Sequence, residues 1–189
     1  MRKNRSVLIA LLTALLFTCG EAYASRLRLN GQVADLSGLK PLAGARVRIY
    51  KDGKLWREQG ANMLGRYMVL FDNNHDYVVR VDAPGFQGKC FTLETHGPEW
   101  QGDRSVSHLD VEIRLPAKEK GIDLSWFDLP LGIAHFEPST GFTRWNRTYE
   151  QNISAATREV MDRYAGYTGP MTLTGAAARM QAKQAHYRL

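Results

Sequence analysis

The sequence predicts an all-β fold: an antiparallel β-sandwich of about seven short strands, then an irregular aromatic segment and a C-terminal helix. Three observations predict it. Apolar and polar residues alternate with a period of two from Arg26 to about Leu115, the spacing of strands with one wet face. Turn residues punctuate that alternation at short intervals. The 189 residues are 44% hydrophobic and 23% charged, which suits a packed core and argues against disorder or a fibrous repeat.

Leu27, Leu29, Gly31 and Val33 alternate with Arg26, Arg28, Asn30 and Gln32 as a first strand. Val47 and Ile49 alternate with Arg46, Arg48 and Tyr50, and Asp52-Gly53 then leads to Leu55 and Trp56. Asp-Gly between two such runs predicts a hairpin, because both turn residues need positive φ. Gly65-Arg66 opens a strand from Tyr67 to Phe71, and the polar run from Asp72 to Asp76 is a turn. Tyr77, Val79 and Val81 form the next strand, broken by Pro84-Gly85. Gly88 to Thr95 makes another, and a polar loop from His96 to Ser105 leads to Leu109, Val111, Ile113 and Leu115.

The pattern changes at Pro116. Trp126, Phe127, Phe136, Phe142 and Trp145 follow a charged connector, with Pro130 and Pro138 expected to interrupt regular structure. A helix is predicted over 148–164. Thr148 and Gln151 have capping-box spacing, Tyr149, Ile153, Ala156, Val160 and Tyr164 share one face, and Gly166 can end it. Residues 167–189 read as a flexible basic tail. Its Arg179, Lys183, His186 and Arg188 offer a weak contact to anionic lipid or wall polymer.

Residues 1–24 read as a signal peptide: Arg2, Lys3 and Arg5, an apolar run from Val7 to Phe17, and Ala22-Tyr23-Ala24 before Ser25. That run is shorter than the ~20 residues a spanning helix needs. Leu16-Phe17-Thr18-Cys19 resembles a lipobox with Thr18 out of pattern. Lipidation at Cys19 is therefore the minority reading, and the only one that implies membrane contact. Cleavage after Ala24 takes three basic residues and one acidic residue from totals of 25 and 19, leaving a net charge of +4. That mild, interspersed charge on an exported chain argues against nucleic acid. Cys90 would be the only remaining cysteine, expected as a small buried apolar group.

Pro41-Leu42-Ala43-Gly44-Ala45-Arg46-Val47, Gly65-Arg66-Tyr67, Tyr77-Val78-Val79-Arg80-Val81 and Gly85-Phe86 stand in order. Together they resemble the carboxypeptidase regulatory-like domain, a transthyretin-like (prealbumin-like) β-sandwich. The resemblance covers roughly residues 26–115, within a unit bounded at 25–116. It implies a non-enzymatic accessory, adhesion or binding module, some of whose relatives share a fold with starch-binding domains. The segment 117–166, from Asp128-Leu129-Pro130 to Trp145 and Tyr149, is similar to the C-terminal extension of some bacterial cell-envelope sandwich proteins.

No catalytic, metal or cofactor site is expected. The five histidines show neither H-x-x-x-H nor H-E-x-x-H spacing. His75 with Asp72 and Asp76 reads as a solvated turn rather than a weak metal site. G-x-S-x-G is absent, and Cys90 lies in a predicted strand without an activating helix terminus. The transthyretin-like ureide hydrolases look for a C-terminal Tyr-Arg-Gly-Ser, whereas this chain ends His186-Tyr187-Arg188-Leu189. Asn146-Arg147-Thr148 and Asn152-Ile153-Ser154 match glycosylation sequons, read here as chance.

Aromatic side chains are the better lead. Trp56, Trp100, Trp126 and Trp145 are the candidate contacts to a ligand or partner. The competing reading has Trp126, Phe136, Phe142 and Trp145 fasten the helix to the sandwich. Trp100, beside Gly97, Pro98 and Gly102, is the one expected to be exposed. The expected function is a non-enzymatic envelope module binding a protein or assembling a surface structure. The alternatives are a carbohydrate-binding module and an uncharacterised hydrolase.

Overall fold

The computed structural model describes residues 26–98 and 105–168. The signal segment with Cys19, Trp100 and residues 169–189 lie outside the described residues.

Nine strands form a sandwich of two mixed sheets. They are β1 (Arg26–Asp35), β2 (Arg46–Lys51), β3 (Lys54–Gly60), β4 (Arg66–Phe71), β5 (Asp76–Asp82), β6 (Lys89–Glu94), β7 (Val106–Leu115), β8 (Pro130–Glu137) and β9 (Phe142–Trp145). The small sheet has the order β4-β1-β7 and the large sheet β3-β2-β5-β6-β8-β9. The sandwich expected from the alternation is present, but two of its pairings are parallel, β1 with β7 and β6 with β8. Alternation reports which face a side chain takes and is blind to strand direction. The segment beyond Pro116, expected to be irregular, instead supplies β8 and β9 to the large sheet. Pro130 is the first residue of β8 and Pro138 directly follows its last, two positions where the missing N–H costs no ladder bond.

The inner faces supply one core. Leu27, Leu29, Val33, Val47, Ile49, Val69, Phe71, Val79, Val81, Leu93, Leu115, Ala134 and Phe136 are all fully buried in it. The Asp52-Gly53 hairpin has φ of 50° and 77°, the positive values its sequence predicts. Gly44 and Gly65 also take positive φ, at 70° and 68°. At Gly65 a Cβ would collide with the Val33 carbonyl oxygen. The turn after β4 is pinned by buried Thr95, whose hydroxyl donates to the His75 carbonyl at 2.9 Å and accepts the His75 N–H at 3.1 Å.

Gly31 on β1 faces Tyr67 on β4 across the antiparallel ladder. The Tyr67 ring fills the space a Gly31 Cβ would occupy, an aromatic side chain covering a strand glycine. Gly31→Ala is expected to lower stability by about 2 kcal/mol through overpacking. Urea denaturation measures it, and a variant as stable as the parent would contradict the placement of that ring.

Ser125–Asp128 forms a 3-10 turn and Arg147–Thr168 a helix, α1. The helix starts one residue earlier than expected and ends four later. Its cap is Asn146, whose Oδ1 accepts the Tyr149 N–H at 3.0 Å, rather than Thr148. Val160 and Tyr164 on the expected face pack with Leu124 and Phe127 in a second, smaller cluster. Tyr149 donates to the Pro130 carbonyl at 2.7 Å, and the Tyr164 hydroxyl accepts the Ala117 N–H at 3.0 Å.

Candidate functional site

The structure separates the three described tryptophans. Trp56 stands on β3, at one edge of the large sheet, half-buried against Tyr77 with ring centroids 5.7 Å apart. Arg57 and Lys51 lie over its ring at 4.6 and 5.6 Å. Trp145 stands on β9, at the opposite edge, packed over Gly132 and 5.8 Å from the Phe91 ring. Trp126 lies on the 3-10 turn and donates its indole N–H to Thr157 of α1 at 3.1 Å. Trp126 therefore fastens the helix, Trp145 and fully buried Phe136 belong to the sheet's own packing, and Phe142 is 72% exposed. No two of these tryptophans are brought together.

His75, Asp72 and Asp76 are not gathered either. The His75 Nδ1 lies 2.7 Å from Asp52, Asp76 meets His96 at 2.9 Å, and Asp72 holds Arg26 and Lys51. Asp52 is kept below the usual carboxylate range by the Asp76 N–H it accepts, and then by His75. Cys90 donates its thiol to the Asp128 carbonyl at 3.4 Å, and burial pushes that thiol's pKa up, away from a reactive thiolate.

What the fold does assemble is the outer face of the large sheet. Inward Val47, Ile49, Val79 and Val81 force Arg46, Arg48, Arg80 and Asp82 outward by alternation. The antiparallel register of β2 and β5 places Arg46 opposite Asp82, and Arg48 directly opposite Arg80. Like charges in that relation are destabilising unless compensated. Asp82 compensates from one side. It accepts Arg46 Nε through both oxygens, at 3.1 and 3.0 Å, and Arg48 at 3.0 Å. Burial works to raise the Asp82 pKa, but the hydrogen bond from Arg46 and the charge of Arg48 outweigh it and hold the group low. Asp128 of the 3-10 turn compensates from the other side, accepting Arg80 at 2.6 Å and Gln87 at 3.3 Å.

These residues border a groove of about 740 Å³ that also includes Lys118 and the loop from Ala83 to Gly88. Three arginines and a lysine face two aspartates there. Arg48 Nε is buried, and among the described residues it has no hydrogen-bond partner.

The next row of the same face is mostly apolar. Leu55, Tyr50, Val78, Thr92 and Ile133 are successive cross-strand partners from β3 to β8. Leu55 is 54% exposed and the other four are half-buried. Beyond them Asp76, Glu94, His135 and Arg144 make a third, polar row with three charged residues. Arg46, Arg48 and Tyr50 were recognisable as wet-face positions, whereas Ile133, His135 and Arg144 lie in a segment expected to be irregular. The assembly itself was not legible, because it depends on strand partners and register.

The fold defines the class as a two-sheet β-sandwich carrying one helix. No protein-family model matches the chain, and no curated protein does. Solved structures similar to it include the Bacillus anthracis TIE protein, at TM-score 0.39 and 14% identity over 49% of this chain and 17% of that one. Another is the C-terminal domain of the shaft pilin SpaA of Lactobacillus rhamnosus GG, at TM-score 0.33 and 13% identity over 50% of this chain and 99% of that domain. A third is catechol 1,2-dioxygenase of Acinetobacter sp. ADP1, at TM-score 0.38 and 12% identity over 56% of this chain and 57% of the enzyme. Among the described residues no helix is long and apolar enough to cross a membrane.

Proposed function

We propose that this chain is an exported, non-enzymatic module of the cell envelope, of the carboxypeptidase regulatory-like type, that holds a protein partner on the outer face of its large sheet. The observation that carries this reading is the mostly apolar row from Leu55 to Ile133, set between two mostly charged rows on a face turned away from the core. An apolar strip rimmed by charge is the usual anatomy of a protein-binding surface. The ordered motifs from Pro41 to Phe86 and the signal-like start support the family and the address.

Solubilised native envelope, passed over the mature chain as bait, tests the reading. A second bait carries Leu55→Lys and Val78→Lys, with folding checked by circular dichroism. A protein retained by the parent and reduced at least about tenfold on the variant is the expected result, since lysine would be buried in the contact. Equal retention by both baits, or an eluate of glycan alone, would overturn it.

A further inference from the structure

We infer that the arginine groove beside the apolar row receives a carboxylate-bearing segment of the protein partner, an acidic peptide stretch. The inference rests on the partner-binding reading above and names the chemistry that recognises the partner.

Three features of the groove carry it. First, the register of β2 and β5 places Arg48 directly opposite Arg80, with Arg46 two residues along β2, so three guanidinium groups converge on one stretch of the outer face. Second, the charge is not closed. Arg46, Arg48, Arg80 and Lys118 exceed Asp82, Asp128 and Glu58, the partner of Arg48 on β3, by one positive charge. The guanidinium fork matches carboxylates in pairs of parallel hydrogen bonds. Third, Arg46 and Arg80 keep guanidinium groups that are partly open to solvent, 54% and 31% exposed, so a carboxylate can reach them.

The apolar row decides between an acidic peptide and an acidic glycan. Arg48 and Tyr50 lie two residues apart on β2, as Arg80 and Val78 do on β5, so the groove and the apolar row are contiguous. An occupant of both must present carboxylates next to apolar side chains, which a peptide does and a polyuronate does not. The groove also has no tryptophan in its walls to stack on a sugar ring.

The test measures binding of a fluorescently labelled hexaglutamate peptide to the mature chain by anisotropy, at low and at physiological salt. An oligogalacturonate of equal length serves as competitor and as a separate probe. Two double variants each remove two positive charges. R46Q/R80Q acts in the groove, where both side chains are partly solvent-exposed, and K54Q/K120Q acts at exposed sites outside its lining.

Hexaglutamate binding weakened at least about tenfold by R46Q/R80Q, and much less by K54Q/K120Q, is the expected result. Equal loss in both variants would mean general charge attraction and overturn the inference. So would the absence of hexaglutamate binding, or tighter groove-dependent binding of the galacturonate. If envelope capture still depends on Leu55 and Val78 while hexaglutamate fails to bind, this inference alone falls and the partner-binding reading stands.

Discussion

Tyr77→Ala is expected to lower the stability of the fold by about 4 kcal/mol, in the range of large aromatic truncations in a core. Tyr77 is 1% exposed and the largest fully buried side chain of the sandwich. Its ring lies 4.6 Å from Phe71 and 5.7 Å from Trp56 by centroid. Its hydroxyl accepts the Asp72 N–H at 3.1 Å and donates to the Asp72 carbonyl at 3.2 Å. That pair closes the turn between β4 and β5. Alanine removes the ring and leaves the Asp72 N–H to find water, while the Asp72 carbonyl keeps the Thr95 hydroxyl at 3.0 Å. Phenylalanine keeps the packing and should cost only about 1 kcal/mol, the net worth of such hydrogen bonds. Urea denaturation of both variants separates the two contributions. Equal losses would show that the hydroxyl, not the ring, holds this corner together.

Lys89→Met is expected to stabilise the protein at neutral pH by about 2 kcal/mol. Lys89 is 7% exposed, its Nζ 4.4 Å over the Phe127 ring, and among the described residues no carboxylate pairs with it. Burial pushes its pKa down from 10.5 to about 8. The ring favours the ammonium form but only partly offsets the lost hydration. Between those two pH values the unfolded chain holds a proton that the folded chain has released. Stability of the parent should therefore rise with pH from about 8 to 10.5, while below 8 the full cost of burying the charge is present. Methionine has no proton to lose, so its advantage should shrink over the same interval. Unfolding curves at closely spaced pH values measure this. Parallel pH dependence in parent and variant would show that Lys89 reaches water in the folded protein.

The two cases mark what a reader of residues can and cannot see. Tyr77 was legible as a core residue, because Val79 and Val81 continue its alternation and the polar run from Asp72 to Asp76 announces the turn before it. Lys89 was not, because it opens its strand and is buried by Phe127, 38 residues further along the chain. The same division holds for β8. Its inward positions are Gly132, Ala134 and Phe136, two of them too small to give an apolar signal, and its prolines read as interruptions although they stand at its ends. The groove divides in the same way. Arg46, Arg48 and Arg80 declare themselves as outward residues one by one. The confrontation of Arg48 with Arg80 exists only once β2 has found β5 in register. Tryptophans stand out as binding residues by type, yet their positions are settled by neighbours such as Gly132 and Thr157 that no local pattern ties to them.

The parallel pairing of β1 with β7 has a consequence for how the chain can be made. The strand at the centre of the small sheet emerges first, and its parallel neighbour begins 80 residues later, from Arg26 to Val106. Contacts of such long sequence separation must await closure of a large loop, which slows folding. Until Leu115 has emerged, β1 has one edge without its partner, and the sandwich cannot be completed from its N-terminal half. A nascent chain would thus keep the small sheet incomplete until β7 has left the ribosome. Any product interrupted before β7 would be left with an unsatisfied strand for quality control to find.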